Sequence, residues 1–226
     1  MNNNSKKLLI WDFDGVIADT EEMWLQTRMD LLNSEYNLNW DIEKTNYHLG
    51  GMSDKTKIEV LKKLGISTDC DFWKRAIELD MKKIVNGLPL TKDIEKVFKL
   101  TDFSQCIATG GDRLKTAKKI EMVGIRKYFP AEKVFTADMV KYGKPEPDLF
   151  LLAAKSMGYN PKDCIVIEDS LAGITAAVRA GMTTIAFTEY LKYGKAYFLE
   201  QINKLGVKNS FANMNDLKTF LQKEYL

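Results

Sequence analysis

The chain has 226 residues, 45% of them hydrophobic and 28% charged, with a formal net charge of +2. That composition supports a substantial core under an ordinary polar surface, and its charge balance argues against nucleic acid or an anionic membrane as partner. One histidine and three widely spaced cysteines, Cys70, Cys106 and Cys164, with no Cys-x-x-Cys, exclude a zinc site. Cys106 and Cys164 lie in apolar strand-like runs and read as small core residues. The start is polar, and Leu8–Trp11 is too short for a signal segment or a membrane span, so a cytoplasmic protein is expected. A monomer is expected as well.

The first element is Leu8-Leu9-Ile10-Trp11-Asp12-Phe13-Asp14-Gly15-Val16. Its apolar run reads as a buried strand of a parallel sheet. Strand alternation predicts that Asp12 and Asp14 point the same way, past the carboxyl end of the strand, where open α/β sheets bind ligands. Two carboxylates this close repel; a bound divalent cation relieves that repulsion, and so does a solvated acidic turn.

Asp19 or Thr20 can cap the helix that follows. From Glu22 to about residue 86 the apolar spacing is helical only, through Trp24, Leu25, Met29, Leu31 and Leu32, then Ile58, Leu61 and Leu64, then Phe72, Ile77, Leu79, Ile84 and Val85. Gly50-Gly51 interrupts the block, and Ser53 is expected to start the next helix. The block has the size of a small inserted domain, residues 19–86, leaving 1–18 and 87–226 for the main domain.

From Gly87-Leu88-Pro89 onward helix and strand alternate. Helices are predicted at Ile94–Leu100, Leu114–Val123, Pro147–Met157, Leu171–Ala180 and Tyr197–Leu205, with a last one from Asp216; Gly124, Gly158 and Gly181 close three of them. Strands are predicted at Gln105–Ala108, Val134-Phe135, Cys164–Ile167 and Thr184–Phe187, with a scrap near Phe211. Such alternation implies an α/β, Rossmann-like parallel sheet with right-handed crossovers, carrying a small all-helical insert.

Three later stretches stand at strand ends. Ile107-Ala108-Thr109-Gly110-Gly111-Asp112 places a hydroxyl and two glycines before a helix, a local pattern suited to an anion and also common in plain turns. Gly143-Lys144-Pro145-Glu146-Pro147-Asp148 holds Lys144 in a stiff loop, where it can pair with a phosphoryl oxygen or screen a carboxylate. Glu168-Asp169-Ser170-Leu171-Ala172-Gly173 ends a buried strand with adjacent acids, and Ser170 can cap a helix whose small residues pack close to the sheet. Two acidic strand ends in one parallel sheet suggest an oxygen-ligand cluster for Mg²⁺.

In this order the four motifs resemble the haloacid dehalogenase superfamily, in its phosphatase and β-phosphoglucomutase branch with a helical cap. The resemblance implies a phosphoric monoester hydrolase working through an aspartyl-phosphate. It implies Asp12 as nucleophile and Asp14 as acid and base. Thr109 and the Gly110 N–H would bind the phosphoryl group, with Lys144 balancing its charge. Mg²⁺ would be held by Asp12, the Asp14 carbonyl and Asp169, with Glu168 nearby or acting through water. The implied substrate is a small phosphorylated metabolite: a sugar, polyol or sugar-acid phosphate.

Asp14 argues against dehalogenation, because a leaving halide needs no proton. A sugar-phosphate mutase of the β-phosphoglucomutase type needs an arginine and a lysine in the cap, where this chain has Asp54 and Gly50; Lys55 or Lys57 could compensate. Lys55 also leaves phosphonate hydrolysis open. A non-catalytic interaction protein of the same fold remains a further alternative, although every residue implied for catalysis is present. His48, before two glycines, reads as a solvated or capping residue or as a residue at the substrate mouth.

Overall fold

The computed structural model of the chain describes residues 6–50, 54–192 and 194–226. In chain order its elements are β1 (Leu8–Trp11), α1 (Glu21–Tyr36), α2 (Ile42–Leu49), α3 (Asp54–Lys63), α4 (Cys70–Val85), α5 (Ile94–Phe98) and β2 (Ser104–Thr109). They continue as α6 (Arg113–Met122), β3 (Val134–Thr136), α7 (Asp148–Met157), β4 (Cys164–Glu168), α8 (Leu171–Arg179), β5 (Thr183–Phe187), α9 (Lys195–Lys204), β6 (Asn209–Phe211) and α10 (Met214–Tyr225). The chain divides into two compact units, one running to Ala18 and resuming at Pro89, the other Asp19–Leu88.

The first unit is an α/β fold around a six-stranded parallel sheet of order β3-β2-β1-β4-β5-β6. Chain order runs outward from β1 to one side through β2 and β3, then to the other through β4, β5 and β6. The reversal at β1 opens a crevice at the carboxyl ends of β1, β2 and β4. β1 and β4 are buried along their whole length, as expected of apolar runs covered on both faces. On one face Leu8, Ile10, Cys106, Ala108, Cys164 and Val166 pack with Leu149 and Phe150 of α7 and Ala176 and Ala177 of α8. Cys106 and Cys164 are thus core residues, as their apolar surroundings predicted. α7 stops at Gly158, whose φ of +78° is the left-handed conformation that ends a helix without Cβ strain.

The second unit is all-helical. Leu25, Leu31 and Leu32 of α1 pack with Leu49, Leu61, Phe72, Trp73 and Ala76. α2 was not foreseen, because it offers few apolar residues; what starts it is Asp41, whose side chain accepts from the Lys44 N–H at 2.7 Å. Thr20 stands at the N-cap position of α1 but makes no capping bond with its side chain. Ile58, Leu64, Leu79 and Val85 keep helical spacing yet lie exposed, and Leu64 falls beyond the end of α3. His48 is half-buried, stacked on Trp40 with ring centroids 4.8 Å apart. Gly51 and Ser53, including the expected helix start at Ser53, lie outside the described residues.

Candidate active site

The parallel register pairs Trp11 with Ile107 on one side and Ile167 on the other, so Asp12 and Glu168 come level at adjacent strand ends. The Asp12 N–H donates to the Ile167 carbonyl at 3.0 Å, continuing the ladder one residue past β1. The turn after it is pinned by Thr91, whose hydroxyl donates to the Val16 carbonyl at 2.7 Å and whose N–H donates to Ile17 at 2.9 Å. Asp12 is therefore carried on backbone tied to β4 by its own N–H and followed by a pinned turn.

Lys144 bridges the two strand ends. Its Nζ donates to Asp12 Oδ1 at 2.5 Å and to Glu168 Oε1 at 2.7 Å, and it lies over the Phe150 ring, 4.9 Å from the centroid. The lysine precedes a cis peptide bond to Pro145. Glu168 Oε2 accepts from the Ser170 N–H at 2.7 Å and from the Ser170 hydroxyl at 3.0 Å, while the same hydroxyl accepts from the Gly173 N–H and caps α8. Glu168 is thus held from two sides, by Lys144 of the loop before α7 and by Ser170 at the start of α8.

Two glycines are required here by space. A Cβ on Gly173 would fall 1.7 Å from Glu168 Oε1, and one on Gly15 would fall 1.9 Å from Asp169 Oδ2. At Gly15 the backbone also has φ of +78°, which a side chain would strain. Both acids of the fourth motif thus sit against backbone that no larger residue could supply.

Thr109 ends β2, buried, and its Oγ1 accepts from the Gly111 N–H at 3.3 Å; Gly110 is exposed at the tip of the turn. Asp14 is paired with a second lysine. Both its carboxylate oxygens accept from Lys119 Nζ of α6, at 2.8 and 2.6 Å. Lys119 was missed by the sequence reading. The available signal was its place between Thr116 and Ile120 on one face of α6, where all three are buried.

Burial raises the Asp12 carboxyl well above its ordinary value; Lys144 opposes this, while Glu168 and Asp14 add to it. For Lys144, burial alone would lower the ammonium, but Asp12 and Glu168 outweigh it and hold the group raised. The pair is a charged strap across the crevice, with anions in excess around it.

The ligand oxygens of Asp12, Glu168 and Asp169 lie within 4.8 Å of one another. An all-oxygen donor set suits a hard divalent cation such as Mg²⁺ and does not suit zinc. The close seat of Asp169 against Gly15 makes that oxygen cradle specific to this turn. The residues present fit such an ion.

Acids converging on a lysine at the switch point of a parallel sheet define an α/β enzyme with a carboxylate-centred site. The chain belongs to the haloacid dehalogenase-like hydrolase family, whose model matches residues 9–187. It is 31% identical over 181 residues to fructose-1-phosphate phosphatase YqaB of Escherichia coli, covering 78% of this chain and 94% of that one. It is 25% identical over 194 residues to a phosphorylated carbohydrates phosphatase of Thermotoga maritima, covering 83% and 88%. Among solved structures, a haloacid dehalogenase-like protein of unknown function from Agrobacterium tumefaciens superposes with a TM-score of 0.83 at 24% identity, covering 96% of this chain and 98% of that one.

Proposed function

We propose that this chain, a phosphoric monoester hydrolase of the haloacid dehalogenase-like family, removes phosphate from a small phosphorylated metabolite of the sugar, polyol or sugar-acid phosphate class through an aspartyl-phosphate. The observation that carries this reading is the buried Asp12 carboxylate at the end of β1, held by Lys144 at 2.5 Å beside Glu168 and Asp169. A carboxylate fixed on paired backbone is a pre-aimed nucleophile.

In the first step an Asp12 oxygen bonds to phosphorus while the ester P–O bond breaks, and Asp14 gives its proton to the leaving alcohol. In the second step Asp14 takes a proton from water as the water oxygen bonds to phosphorus, and the Asp12–phosphorus bond breaks to release inorganic phosphate. Lys144 balances the phosphoryl charge, and Thr109 with the Gly110 N–H receives the phosphoryl oxygens. Asp12, Asp169 and the Asp14 carbonyl would hold Mg²⁺, with Glu168 beside them, and the ion would supply charge neutralisation around the dianion.

The relatives named as phosphatases support hydrolysis, and their carbohydrate phosphate substrates support the substrate class. The mutase alternative keeps one supporting observation. Asp54, the acid standing where a mutase needs a cation, lies 3.4 Å from Arg28 and 3.7 Å from Lys57, so its charge is compensated. The test is a panel of sugar, polyol and sugar-acid monophosphates with Mg²⁺, scored for inorganic phosphate and for isomers in the same reaction. Phosphate release without isomer formation is expected, even with a hexose bisphosphate activator. Isomer formation faster than phosphate release overturns the hydrolase in favour of the mutase.

A further inference from the structure

Lys119 is the second lysine of the site, and none of the roles above uses it. Its side chain is 3% exposed, an unusual place for a lysine on a surface helix. Its Nζ donates to both oxygens of Asp14, lies 4.5 Å from the centroid of the Phe13 ring, and stands 3.8 Å from where a Cβ on Gly111 would fall. One ammonium thus touches the residue that moves protons and the ring between the two motif aspartates, and stands near the turn that follows Thr109. A bond to each oxygen fixes rotation of the carboxylate, which a single contact would leave free. The lysine stem is itself fixed by α6, whose first turn is capped by Asp112, accepting from the Lys115 N–H at 2.9 Å.

We propose that Lys119 is a positioning residue that aims the Asp14 carboxylate at the oxygen entering or leaving phosphorus. The proposal rests on the reading of Asp14 as acid and base. It separates two parts of the reaction. Attack by Asp12 on phosphorus depends on Asp12 and Lys144, which Lys119 does not touch among the contacts described. Protonation of the departing alcohol depends on Asp14 being within reach and correctly turned, and positional errors in such a group cost heavily in rate.

The test uses two substrates that differ in their need for that proton, each compared with its own wild-type rate. A sugar or polyol phosphate must expel an alkoxide, which needs it; 4-nitrophenyl phosphate expels a stable phenolate, which does not. In Lys119→Met, a side chain of similar length without charge, kcat/KM for the alkyl phosphate should fall by about tenfold to a hundredfold, the lower part of what an acid or base supplies. For the aryl phosphate it should stay within about threefold. Lys119→Arg, which keeps a donor fork and charge, should restore most of the alkyl-to-aryl ratio.

Equal losses on both substrates, no loss on either, or a loss confined to KM overturns the proposal, the last by making Lys119 a phosphate ligand. Should Lys119→Met not fold by circular dichroism, Lys119→Gln takes its place with the same expected direction and the same overturning results. Failure of the wild-type protein to release phosphate from either substrate overturns the hydrolase reading and this proposal with it, a result distinct from the other three.

Discussion

The two units bury charge in opposite ways. In the α/β unit the buried carboxylates Asp12 and Glu168 stand at strand ends, and Glu168 is held by several groups at once: Lys144, the Ser170 N–H and the Ser170 hydroxyl. In the helical unit Arg28 of α1 and Asp80 of α4 pair with each other inside the packing, yet Arg28 Nε and Asp80 Oδ1 lack a hydrogen-bond partner. Sheet ends supply free backbone donors and a crevice, so charge can be collected there and fully satisfied. Helix interiors have spent their backbone groups, so a buried pair must satisfy itself by side chains alone. The first arrangement suits chemistry, and the second costs stability.

The strand-end charges should fail first in activity. Asp12→Asn should lower turnover by about 10⁴-fold or more with the fold retained, because an amide oxygen is a poor nucleophile. Phosphate release with Mg²⁺, alongside circular dichroism and mass spectrometry to exclude reversion to Asp, checks it. Retention of more than a few per cent of kcat would falsify the covalent route.

The buried pair of the helical unit should fail first in stability. Arg28→Met leaves the buried Asp80 carboxylate without the cation that pairs with it, a change that costs about 3–5 kcal/mol in comparable buried pairs. Urea unfolding measures it. The double change Arg28→Met with Asp80→Leu should recover most of the loss; if it recovers none, the pair is not the source of the cost.

Space at the site gives a smaller, mixed effect. Gly173→Ala drives a methyl to 1.7 Å from Glu168 Oε1, so Glu168 or α8 must shift. Overpacking of this kind costs about 1–3 kcal/mol, and the displaced Glu168 should release Lys144 and reduce kcat. Ala at Gly158, another helix end, should cost stability through its left-handed backbone while leaving kcat alone. Equal effects on kcat at both positions would remove Glu168 from the argument.

Much of the α/β unit was legible because its signals are local: apolar runs for β1 and β4, and a glycine after α6, α7 and α8. Asp12, Lys144, Glu168 and Asp169 were legible as a group because each stands at a strand end or in a stiff loop, and a parallel sheet collects such positions. Lys119 was not, since its partner Asp14 is 105 residues away and Lys118-Lys119 looks like an exposed charged pair. Arg28 and Asp80 were hidden for the same reason, 52 residues apart on helices whose charged positions normally face water. The periodicity of α3 and α4 overstated the core, because Ile58, Leu79 and Val85 hold helical spacing on faces left exposed.

The smallest expected effect concerns pH and decides how well Arg28 satisfies Asp80. Burial raises the Asp80 carboxyl above its ordinary 3.8, and Arg28 only partly offsets that. A carboxyl whose folded value lies above its unfolded one binds its proton more tightly when folded, so its contribution is present below pH 3.8 and is lost as pH rises through the folded value. Asp80→Asn has no such proton. Its stability relative to wild type should therefore improve as pH rises through that acid window, whatever constant cost the amide brings. Thermal unfolding of both proteins across the window reads the difference. A variant that loses ground with rising pH would mean that Arg28 outweighs burial, and the helical unit would then satisfy its charge as completely as the strand ends do.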